Sequence, residues 1–134
     1  MKKIYFQSLL LMALLLCGCA KEDINGDLDG LWQLRGITYL SNDSTVDVQD
    51  SLRFMAVQLH LLELRNNQIN GRFARFNHSG DSLSIEMIDS TTLSKAWMLP
   101  FGMNDVKQHF LVEKLDGKHL VLCSSFARLS FHKF

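Results

Sequence analysis

The sequence predicts an all-β domain, a small antiparallel up-and-down β-barrel of seven to eight strands. Apolar and polar residues alternate in short runs, as in Leu83, Ile85 and Met87 against Ser84 and Glu86, which is the two-residue period of a half-buried strand. Turn-forming clusters at Asn66-Asn67-Gln68, Asn70-Gly71, 77–81 and Asp116-Gly117 separate the runs, as in hairpin-rich proteins. No repeat, heptad run or low-complexity block competes with this reading. A closed barrel is favoured because closure removes exposed strand edges.

The chain opens with a different kind of segment. Lys2 and Lys3 precede an apolar run from Ile4 to Leu16, broken only by Gln7 and Ser8. A basic start, a short apolar stretch and a small residue before a cut site make a secretory signal. The run is shorter than the roughly 20 apolar residues that a spanning helix needs. It ends on Leu16-Cys17-Gly18-Cys19, which resembles the lipobox of bacterial lipoproteins. That resemblance implies cleavage after residue 18 and a lipid on Cys19. It also implies a lasting membrane anchor, since stable attachment takes about two acyl chains. Ala20-Lys21-Glu22-Asp23 resembles the Lys-acidic-acidic tag that sends some lipoproteins to the outer face of the outer membrane. The expected location is therefore the outer membrane, with surface display favoured over a periplasm-facing position. Residues 19–29 are expected to be a lipidated, flexible tether, and residues 30–134 the barrel domain.

Removing 18 of the 134 residues leaves 116, enough for one domain with a modest core. The full chain carries 14 basic and 14 acidic side chains, and losing Lys2 and Lys3 leaves an excess of two acids. No basic patch is present to hold nucleic acid. With Cys19 lipidated, Cys123 has no disulfide partner, and its neighbours Leu120-Val121-Leu122 mark it as a small buried apolar residue.

The strands follow in order. The first covers Leu31 to Leu40, with Trp32, Leu34 and Thr38 on one face, and Ser41 to Ser51 is a polar loop. Leu52 to Leu64 reads as one strand, because Val57, Leu59 and Leu61 alternate with Gln58 and His60, and adjacent Leu61 and Leu62 suggest a bulge. Arg72 to Phe76 is a short strand, and Leu83 to Met87 the next. Ser90 to Asn104 holds Trp97, Pro100 and Gly102. It starts with a helical turn over Thr91 to Trp97, or is a short strand and a long loop. His109 to Leu115 and Lys118 to Ser124 form a hairpin about Asp116-Gly117. A type I′ turn there would set Leu115 opposite Lys118 and Lys114 opposite His119. Ala127 to Phe134 is the last strand.

Gly30-Leu31-Trp32 opens the first strand, and Arg128 lies near the start of the last. The combination resembles the lipocalin signature, and small bacterial lipoproteins with a like first strand are classed as lipocalin-like. The resemblance implies that Gly30, Trp32 and Arg128 are structural. It implies that the guanidinium covers the indole and closes the barrel floor. The chain departs from the family in being short and in lacking Thr-Asp-Tyr near the later hairpin.

No enzymatic chemistry emerges. The serine pair Ser124-Ser125 lacks a Gly-x-Ser-x-Gly elbow, so no catalytic residue is assigned. The five histidines form no His-x-x-x-His pattern and the cysteines no Cys-x-x-Cys pattern, so neither metal nor cofactor is expected. The apolar set includes Leu59, Leu61 and Phe73 and the candidate ligand-binding residues Met87, Trp97, Met98, Phe101, Met103 and Phe110. An eight-stranded barrel is either filled by side chains or holds one small ligand. In the second case Trp97 to Met103 is an adaptable Met-rich cap over the mouth, and a small apolar or amphipathic molecule is the partner. In the first, loops or an apolar patch contact another envelope protein.

Overall fold

The computed structural model describes residues 24–67, 71–89 and 93–134. The signal segment, Cys19 and residues 20–23 of the tether lie outside the described residues. In chain order come β1 (Gly30–Tyr39), β2 (Ser44–Asp47), β3 (Arg53–Gln58), β4 (Leu61–Asn66), β5 (Arg72–Ser79) and β6 (Ser82–Met87). Helix α1 (Lys95–Met98), β7 (Lys107–Leu115), β8 (His119–Cys123) and β9 (Ala127–Lys133) complete the set. The strands are hydrogen-bonded in the order β2-β1-β3-β4-β5-β6-β7-β8-β9, and β9 returns to β1. β1 and β3 to β9 thus close an antiparallel eight-stranded barrel, as the alternation predicts. β2 is a short addition: it pairs with Gly36–Tyr39, while β3 pairs with Gly30–Gln33 along the same edge of β1. Among the described residues every strand lies between residues 30 and 133 and the buried core between 28 and 131.

The core lies inside the barrel. Trp32, Phe101 and Phe110 are its largest buried side chains. Inward rows keep the predicted period where the strands are regular, as for Leu83, Ile85 and Met87. In β1 the register slips between Leu34 and Gly36. The inward row therefore resumes at buried Ile37 and not at Thr38, whose hydroxyl meets that of Thr45 on β2 at 2.9 Å.

Two hairpins differ from expectation. The stretch 52–64 is not one bulged strand: Gln58 pairs with Leu61, and Leu59 and His60 form the tip of a hairpin. Leu59 takes φ 54° there, a left-handed value that branched side chains resist. Leu61 and Leu62 look like a face shift because a new strand starts. Leu62 and Leu64 are buried, whereas Leu59 and Leu61 are about half exposed, as is Phe73. In the β7–β8 hairpin Leu115 pairs with Leu120 and Lys114 with Val121, with a slip at Glu113. Gly117 has no positive φ, so the turn is not type I′. Instead Asp116 Oδ1 accepts from Lys118 N at 2.8 Å and His119 N at 2.7 Å. The carboxylate closes the loop that a glycine conformation was expected to close. β5 also runs on to Ser79, three residues past its predicted end.

Candidate functional site

The barrel has a floor at the Trp32 end and a mouth at the α1 end. The floor begins before Gly30. Residues Gly26–Leu28 form a 3-10 turn, and Leu28 is fully buried, so the last residues of the expected tether belong to the domain. Trp32 Nε1 donates to Leu28 O at 2.8 Å. The cation over the indole is Lys133, with Nζ 4.8 Å from the ring centroid and donating to Asp27 O at 3.0 Å. Gly30, at φ 134°, leaves room for it: a Cβ there would lie 3.1 Å from Lys133 Cε.

Arg128 does not cover Trp32. It is on the other face of β9, where Nε reaches both Glu113 oxygens at 3.1 Å. The reason is strand parity: Ala127, Leu129 and Phe131 are buried, and Lys133, not Arg128, shares their row. That alternation was the signal in the sequence. The Arg128 guanidinium holds the Glu113 carboxyl below its ordinary range, and Glu113 in turn raises Arg128. Cys123 is across from Arg128, and burial, then its bond with Glu113, pushes the thiol up.

The mouth is closed by the segment after β6. Ser94 Oγ accepts from Ala96 N at 3.1 Å and caps α1. A 3-10 turn, Leu99–Phe101, follows. Gly102, at φ 72°, ends it with bonds from Gly102 N to Leu99 O at 2.9 Å and Met103 N to Met98 O at 3.3 Å, the pairing of a Schellman stop. A Cβ at Gly102 would run into Leu129 Cδ2 and sit 3.2 Å from Ile37 Cγ2, so the cap is pressed against β9 and β1.

The six candidate ligand-binding residues divide between cap and wall. Met98, Phe101 and Met103 descend from the cap and are buried; Met87 and Phe110 are buried from β6 and β7. Trp97 is half-buried, its ring 5.1 Å from that of Phe101. The cap residues and Met87 stand at the mouth end, whereas Phe110 pairs with Leu83 near the β5–β6 turn. Arg53, which sequence reasoning passed over, also belongs here. It begins β3 on the row of buried Met55 and Val57, and its Nη1 donates to Pro100 O at 2.7 Å.

Other features are superficial. Open hollows of about 160, 310 and 370 Å³ lie at Arg75–Lys107, at Asn25–His60–His78 and at Leu61–Phe73–Ile88. His119 meets His132 across β8 and β9 with ring centroids 5.2 Å apart. Among the described residues no group of three His, Cys, Asp or Glu side chains could hold a metal ion.

A family model described as a lipocalin-like domain matches residues 14–134. A solved lipocalin-like protein from Bacteroides uniformis ATCC 8492 is 26% identical, with TM-score 0.69, covering 81% of this chain and 100% of that one. An uncharacterized protein from Bacteroides eggerthii DSM 20697 is 22% identical, with TM-score 0.63, covering 79% and 98%; at that identity it supports the fold alone. No curated protein matches the chain significantly.

Proposed function

The chain belongs to the lipocalin-like domain family, and from that premise we propose that it is a lipid-anchored envelope protein, not an enzyme, that binds one small apolar or amphipathic molecule in the barrel mouth. The observation that carries this reading is the cap. The upper end of the barrel is filled by Met98, Phe101 and Met103, which come from the segment between β6 and β7 and not from the strands. A segment held largely by side-chain burial can lift as a unit, and the methionines adapt to what replaces them. Lifting it vacates an apolar space bordered by Leu129 and Ile37, with Met87 at the same end of β6. The anchor is Cys19, and the Ala20-Lys21-Glu22-Asp23 sequence supports the outer face of the outer membrane.

Native mass spectrometry on residues 20–134 tests the binding reading: a retained small molecule is expected, released when Trp97 is replaced by alanine. Consistently bare protein, after exposure to an envelope lipid extract, would end it. Labelled palmitate entering the wild type but not Cys19→Ser tests the anchor. A second reading, a protein-interaction module with a permanently filled barrel, draws on one observation. Leu61, Phe73 and Ile88 are each nearly half exposed and line one hollow of about 370 Å³.

A further inference from the structure

We infer that the barrel mouth carries a site for the carboxylate head of an amphipathic ligand, built on Arg53; the inference rests on the binding reading above and specifies its chemistry. Arg53 enters the mouth from the inward row of β3. A guanidinium has five donors and no acceptor, yet among the described residues only one bond engages Arg53, from Nη1 to the neutral carbonyl of Pro100. Its Nε is buried and has no hydrogen-bond partner among the described residues. Among the described residues no carboxylate forms an ion pair with it, whereas Arg65, Arg72 and Arg128 each have one. A buried donor left unmade costs stability, and a methionine or leucine would fill the position without that cost. A ligand anion would remove the cost.

Opposite Arg53 stands the cap. The Arg53–Pro100 bond ties cap to barrel, and a carboxylate is a stronger acceptor for a guanidinium than an amide carbonyl. A carboxylate arriving at Arg53 therefore displaces Pro100. The cap is freed as the apolar tail needs the space of Met98, Phe101 and Met103. Head recognition and cap opening become one event.

The test compares decanoate with 1-decanol, which share a tail and differ in head, by calorimetric titration of residues 20–134. Decanoate is expected to bind at least tenfold more tightly than decanol. In Arg53→Gln that preference falls below threefold; Arg53→Lys keeps part of it. Equal affinities in the wild type would overturn the carboxylate site and leave the binding reading standing. A preference that persists in a folded Arg53→Gln would overturn the assignment to Arg53. If neither molecule binds, both readings fall. The wild-type comparison decides even if the glutamine variant does not fold, which its circular dichroism reports.

Discussion

Lys133 lies over the indole of Trp32, its Nζ 4.8 Å from the ring centroid, and the two residues are directly paired across β1 and β9. The pair closes the floor by three connected choices. Gly30 has no Cβ to obstruct the lysine stem, Leu28 O takes the indole N–H, and Asp27 O takes the ammonium. The stem covers apolar surface while the charged end keeps a polar partner.

This arrangement makes Gly30 and Lys133 energetically dependent on each other. Lys133→Ala should cost about 0.5–1 kcal/mol, the size of a partly solvated cation–π contact. Gly30→Ala should cost about 1–3 kcal/mol, from a positive φ and from crowding the lysine. In the double variant the crowding disappears, so the two costs should sum to less than their separate values. Urea denaturation of the four proteins measures the coupling. Strict additivity would mean that the lysine does not occupy the space Gly30 leaves.

At the mouth, Gly102→Ala should destabilise by about 1–3 kcal/mol, the usual range for overpacking. The new Cβ meets Leu129 and Ile37 while the backbone holds φ 72°. If the cap yields in place of the barrel, Trp97 fluorescence shifts to the red while the denaturation midpoint stays near wild type. Either response is informative; an unchanged midpoint with unchanged fluorescence contradicts the packing described.

The closed barrel was legible because its rule is local. Leu83-Ser84-Ile85-Glu86-Met87 reports its two faces residue by residue, and short turns leave antiparallel neighbours as the simple solution. Where one residue is inserted or a turn is disguised, the same rule misleads. The slip after Leu34 moved the inward position from Thr38 to Ile37. The hairpin at Leu59-His60 contains no glycine, asparagine or proline to announce it. The candidate mouth residues Met98, Phe101 and Met103 were legible as apolar, but whether they face a ligand or fill the barrel depends on the path of the cap. That path is fixed by the non-local fit of Gly102 between Leu129 and Ile37. Arg53 was missed because a charged residue at a strand start reads as solvated, although its parity with Val57 puts it on the inward row.

The Leu59 turn gives a prediction of opposite sign. Leu59 is 54% exposed at φ 54°, so it contributes little burial there while carrying left-handed strain of about 1–2 kcal/mol. Leu59→Asn should raise stability by about 0.5–1 kcal/mol, because asparagine tolerates this conformation. Thermal unfolding checks it. A lowered midpoint would mean that the leucine side chain stabilises the turn despite its exposure.

Acid should weaken the domain partly through Glu113. Its folded-state pKa is depressed by the bond from Arg128, so the folded form favours the carboxylate. A depressed acid contributes stability above its ordinary pKa and loses it as pH falls through the folded value. Glu113→Gln should therefore lower the urea midpoint at pH 7. The effect is small because both partners are substantially exposed and salt screens them. As pH falls from about 5 towards 2 the gap between wild type and variant should close, since protonated Glu113 resembles glutamine in charge. Raising salt at pH 7 should narrow the gap as well. A gap that stays constant over the whole pH range would show that Glu113 acts through packing and not through its charge on Arg128.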